Sequence, residues 1–275
     1  KRAEKTAMRS EVNDRQKGKA RSFRGRLAAM GMMAALGGGA SVAMASDWST
    51  TNVQLLHGTK YADDFGIDTP EKTVFTFEHA NGWKYGDNFF FVDVSNPTTK
   101  GTAYYSEFSP RLSFGKIFTG KELSFGPVKD VLLAGTWEMG DGLHAYLGGI
   151  GFALNIPKFA FFDLNLYARR SQRDFVAVQT DSGAQVTIDW LLPFEVVGVK
   201  FAFEGFADYA WGEKGGSATK ADNLITAPRL LVDVGHFWGA GGKLQAGIEY
   251  QIWHNKFGID GVNERVPQVM VKWTM

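Results

Sequence analysis

Aromatic rings and carboxylates recur at every second position of this chain. Asp87, Phe89, Phe91 and Asp93 do so, as do Tyr105, Glu107 and Arg111, and then Asp163, Asn165, Tyr167 and Arg169. A period of two places each set on one face of a strand. The rings offer flat apolar surfaces, and the charged groups offer acceptors and donors. Together they can grip an amphipathic solute. Catalysis demands more, namely a nucleophile beside a base. His57, His79, His144, His236 and His254 belong to no Ser/His/Asn constellation. Their spacing gives no metal site, and no nucleophile-elbow motif is present. The absence of Cys excludes a thiol nucleophile, a disulfide framework and Cys ligation of a metal. The glycines at Gly215-Gly216, Gly239 and Gly241-Gly242 read as hairpin tips, not as a phosphate-cradling loop. These residues point to a non-enzyme with no cofactor and no metal.

The elements that carry them are strands. From Asp47 onward no segment sustains a 3.6-residue apolar period, whereas alternation recurs throughout. Twelve strands are predicted, at about 50–57, 72–79, 84–94, 102–115, 129–138, 143–154, 159–170, 184–192, 196–210, 224–236, 243–255 and 265–275. Connections after odd strands (58–71, 95–101, 171–183, 211–223, 256–264) are long and polar. Those after even strands (80–83, 155–158, 193–195, 237–242) are short and carry turn residues. Residues 116–128 and 139–142 depart from this rule. An even strand number with loops long on one side and short on the other fits a transmembrane barrel. The polar parity mixes carboxylates and Arg with Tyr and Phe, which suits a water-filled interior better than a soluble outer surface. Trp83, Trp137, Trp190, Trp211, Trp238 and Trp273 fall near strand ends, where interfacial aromatic belts lie.

Bulk averages conceal this organisation. The net charge is +1 and the mean hydropathy −0.17, values that exclude a disordered chain. Residues 1–45 hold ten Lys and Arg against three acids, so 46–275 carry a net −6. After Arg26 no charge appears until Asp47, and the apolar run Leu27–Ala45 ends in Ala43-Met44-Ala45. A basic region, an apolar region and a small-x-small ending describe a secretory signal peptide. A retained membrane helix is the competing reading, and a nucleic-acid-binding arm is disfavoured because the apolar run follows directly. The expectation is an all-β transmembrane antiparallel up-and-down β-barrel of about 12 strands over 46–275, preceded by a signal peptide over 1–45.

Three segments bear a family likeness. Ala80-Asn81-Gly82-Trp83 through Gly86-Asp87-Asn88-Phe89-Phe90-Phe91-Val92-Asp93 resembles a characteristic block of the Tsx/OmpK family, as does Glu107-Phe108-Ser109-Pro110-Arg111-Leu112-Ser113. The opening Asp47-Trp48-Ser49-Thr50-Thr51-Asn52-Val53-Gln54 is similar too. The resemblance spans 46–275 and implies a monomeric, twelve-stranded, nucleoside-specific channel of the bacterial outer membrane. Nucleosides and outer-membrane lipid are then the expected partners, and some members also serve as phage receptors. A nucleoside joins a stackable base to a hydroxyl-rich sugar. On that reading Phe89, Phe91, Tyr105 and Tyr167 are the stacking surfaces, with base–aromatic stacking worth ~1–3 kcal/mol. Asp93, Glu107, Arg111 and Arg169 are the hydrogen-bonding partners. For any one of these, bracing of the wall is favoured over direct solute contact. The acidic excess disfavours anions, nucleotides included. The alternatives are a non-selective porin, a surface protein used by a phage or in adhesion, and, least favoured, an outer-membrane enzyme.

Overall fold

The computed structural model describes residues 46–62, 68–98, 101–173, 181–215 and 218–275. The signal-peptide expectation for 1–45 lies outside them. The rest is a closed twelve-stranded antiparallel β-barrel. Its strands are β1 (Trp48–Ala62), β2 (Asp68–Trp83), β3 (Gly86–Ser95), β4 (Ala103–Ser113), β5 (Val128–Gly140) and β6 (Leu143–Leu154). They continue as β7 (Phe161–Arg173), β8 (Asp181–Val196), β9 (Val199–Gly215), β10, β11 (Leu244–His254) and β12 (Glu264–Thr274). Strand β10 is in two pieces, Asn223–Thr226 and Arg229–Asp233. A further short piece, Ala218–Thr219, folds back on β9. Each strand pairs with its neighbour in sequence, and β1 pairs with β12 from Asn52↔Thr274 to Gly58↔Gln268. That last pairing removes both sheet edges, as a lipid environment requires.

The alternation has the predicted sense. Leu55, Phe75, Leu133, Ile150, Leu166, Ile248 and Val269 are exposed, while Asn52, Gln54, Thr76, Glu138, Asp163, Gln185 and Glu249 on the other parity are buried. A soluble barrel would have these reversed. An exterior this apolar is an aggregation hazard in water and a solvated surface in a bilayer.

Several boundaries differ from the sequence reading. Residues 58–71 were expected to be a loop, yet β1 runs to Ala62 and β2 begins at Asp68. Likewise β9 runs past 210 to Gly215. Polarity misled the reading there, since strands beyond the apolar belt need no outward hydrophobic residues. The predicted strand 102–115 stops at Ser113, and a short helix, α1 (Phe114–Thr119), follows. Ser113 caps α1 by accepting from Lys116 N at 3.0 Å, and Gly120 ends it in the left-handed region. The predicted strand 224–236 ends at Asp233, whose carboxylate accepts from His236 N and Gly242 N and caps a 3-10 turn, Val234–Trp238.

Two prolines break the ladder, and at the second the freed backbone carbonyls find new partners. Pro110 sits in mid-β4, and the β4–β5 pairing lapses between Phe108↔Trp137 and Arg111↔Ala134. The hydroxyls of Ser109 and Thr136 meet there at 3.0 Å. Pro228 interrupts β10, where Thr226 Oγ1 donates to the Phe206 carbonyl at 2.6 Å and Tyr250 N donates to the Pro228 carbonyl at 2.9 Å. Backbone groups at membrane depth must find such internal partners.

Candidate functional site

The face bearing the predicted site residues is the interior one, because its side chains reach strands that are not neighbours. Arg111 on β4 lies 2.9 Å from Asp163 on β7. Lys272 on β12 lies 2.8 Å from Glu204 on β9, and Arg229 on β10 reaches Glu78 on β2 at 4.0 Å. Such contacts pass across the barrel.

Phe89, Phe91 and Tyr105 form a continuous aromatic strip. Phe89 and Phe91 project from the same side of β3 with ring centroids 5.9 Å apart. Tyr105 pairs with Asp93 across β3 and β4, which brings its ring 5.8 Å from Phe91. The strip carries polar groups along its edge: Tyr105 Oη donates to Glu107 Oε1 at 2.5 Å, and Asp93 accepts from Thr76 Oγ1 at 2.5 Å. The backbone register places Glu78, Phe91, Glu107 and Glu138 in one row.

The remaining candidates sit differently. Tyr167 lies apart from the strip, packed with Ala134, Ala145 and Leu147. Arg111 is bidentate to Asp87, at 2.7 and 3.0 Å, as well as paired with Asp163. Arg169 binds both oxygens of Glu138, donates to Gln185 Oε1 at 2.8 Å, and holds Nε 3.4 Å from Glu213, whose Oε1 also lies 3.2 Å from Lys220 Nζ. Both guanidinium groups therefore tie strands together through charge-assisted bonds.

Sequence reasoning missed Glu138, Glu213 and Lys272. On β5 both parities are apolar over Leu132, Leu133 and Ala134, so alternation gave no signal for Glu138. Glu213 lay in a presumed loop. Lys272 gave no local signal because its partner Glu204 is 68 residues away. A second feature, also unforeseen, is a cluster of Leu56, Ala202, Leu231 and Met270 on the interior face, with Val74 and Leu191 against it.

The interior also holds carboxylates without cationic partners. Among the described residues, Asp93, Glu107, Asp189 and Asp208 form no ion pair. They accept instead from Thr76, Tyr105, Asn165 and Thr187. No group of His, Cys, Asp and Glu among the described residues has the arrangement of a metal site.

A closed barrel, apolar outside and charged within, with an aromatic strip along one wall, defines a transmembrane β-barrel channel protein of the outer membrane. The family of nucleoside-specific channel-forming proteins, Tsx, matches residues 45–271, and the chain belongs to that family. Relatives include the outer membrane protein OmpK of Vibrio parahaemolyticus serotype O3:K6, 30% identical over 148 residues, which are 46% of this chain and 53% of that protein. The nucleoside-specific channel-forming protein Tsx of Salmonella typhimurium is 26% identical over 175 residues, covering 60% of this chain and 56% of that protein. The matches thus span about half the length of these relatives. The solved KdgM porin is similar at a TM-score of 0.44 and 10% identity, over 82% of this chain and 98% of that one.

Proposed function

We propose that this protein carries nucleosides, or solutes of the same amphipathic build, across the outer membrane by facilitated diffusion. The observation that supports this most directly is the Phe89–Phe91–Tyr105 strip, with ring spacings of 5.9 and 5.8 Å and the Glu107 and Asp93 carboxylates at its edge. A base slides along the rings while the sugar hydroxyls donate to the carboxylates. Tyr167, buried against Ala134, Ala145 and Leu147, backs the wall and offers the solute no free ring face. Arg111 and Arg169 donate to the solute as well as bracing the wall. Several weak stations in sequence permit passage where one deep site would trap the solute. The family match and the name of the Salmonella typhimurium relative favour nucleosides over other amphipathic solutes. The barrel works as a monomer, and residues 1–45 serve as a cleaved export signal. The role is transport, not catalysis.

Current block in planar bilayers tests the proposal. Nucleosides should block the ion current at concentrations where sugars of similar size do not. Phe89→Ala and Phe91→Ala should each weaken that block about tenfold, the lower part of the range for one lost base–aromatic stack. Equal passage of nucleosides and sugars would overturn the reading in favour of a non-selective pore.

A further inference from the structure

The connection between β4 and β5, residues 114–127, is longer than its counterparts 84–85, 155–160, 197–198 and 234–243 at the same barrel end. It is also well built. Leu123 N donates to Asp130 Oδ1 at 3.0 Å, Phe125 bridges to Val128, and the segment after α1 folds so tightly over Gly115 that a Cβ there would meet the Lys121 carbonyl at 2.3 Å. Yet it turns its hydrophobic residues outward, with Phe118 79% and Phe125 57% exposed beside Ile117 and Leu123. Between α1 and the barrel wall lies a groove of about 370 Å³ lined by Trp83, Tyr85, Leu112 and Ile117. The indole N–H of Trp83 is itself buried, with no acceptor among the described residues.

Cations frame this apolar feature. Lys84 lies 4.8 Å from the Tyr85 ring centroid. Lys121 and Lys129 are exposed, and Lys116 is paired with Glu122 at 3.3 Å. In outer-membrane barrels the short turns face the periplasm, so this end lies at the inner leaflet. An apolar slot rimmed with Lys at that depth matches an acyl chain below a phosphodiester.

We infer that α1, β2 and β4 form a binding site for one anionic glycerophospholipid of the inner leaflet. One acyl chain occupies the groove against Trp83, Leu112 and Ile117, while Lys84 and Lys121 face the phosphate. The inference rests on membrane placement of the barrel and is independent of which solute crosses it.

Native mass spectrometry of the purified full chain, with phosphatidylglycerol or phosphatidylcholine added, tests it. One phosphatidylglycerol should be retained, in preference to phosphatidylcholine. Lys84→Gln and Lys121→Gln should each lower retention about fivefold, as expected for one Lys at a lipid surface. Ile117→Glu, on an already exposed position, should abolish it while the heat-modifiable gel mobility of the folded barrel persists. Equal retention of the two lipids, or retention unaffected by these substitutions, would overturn the site. A dimer held through the groove, dispersed by Ile117→Glu, would overturn it in favour of a second copy as occupant.

Discussion

At the scale of single residues, the interior divides its labour between rings and charges. The strip of Phe89, Phe91 and Tyr105 offers surface, whereas Arg111 and Arg169 hold the wall. Arg169 is the clearest case, since its partners Glu138 and Glu213 have side chains only 7% and 3% exposed. Removing one partner of a buried pair strands the other charge, at a cost of about 3–5 kcal/mol. Arg169→Met should therefore lower the temperature of the heat-modifiable gel transition markedly, and adding Glu138→Gln should recover part of the loss. Simple additivity of the two substitutions would count against a shared network. The sequence marked Arg169 and Arg111 correctly as interior residues, because period two alone assigns a face. It could not say which carboxylates they meet. Arg169 and Glu138 are 31 residues apart, on strands separated by a third, and that pairing depends on barrel curvature rather than on local spacing.

At the scale of elements, alternation located all twelve strands, but their ends were legible only where apolar residues stop. Beyond the lipid belt β1, β2 and β9 continue as polar strands, so their composition mimics a loop. The helix α1 was hidden for another reason: six residues (Phe114–Thr119) are too few to display a 3.6-residue period. Turns make sharper predictions. The connection between β8 and β9 is Val197-Gly198, with φ of 50° and 80°. Positive φ at both central positions is the geometry of a type I′ hairpin, for which Asn-Gly is favoured. Val is β-branched and strained there, and its side chain is 96% exposed, so it gains nothing from packing. Val197→Asn should stabilise the barrel by ~1 kcal/mol, read as a higher thermal transition with unchanged current. A lower transition would show that the turn tolerates Val for a reason other than backbone geometry.

At the scale of the whole molecule, the near-neutral total charge is the sum of a basic stretch over residues 1–45 and an acidic stretch over 46–275. Inside the barrel, Asp93, Glu107, Asp189 and Asp208 form no ion pair among the described residues. Charged interior residues tune selectivity collectively. Under a potassium chloride gradient the reversal potential should report preference for potassium over chloride, and Glu107→Gln or Asp208→Asn should reduce it. An unselective or chloride-preferring current would contradict this account of the interior. The closure of β1 on β12 has a consequence for biogenesis. Of the twelve strands Glu264–Thr274 is synthesised last, and among the described residues it is the strand that pairs with the outer edge of β1. Until it arrives, the nascent sheet presents two unpaired borders to its surroundings. Such borders invite pairing with other chains, so the barrel is most vulnerable to mispairing in the interval before its first and last strands meet.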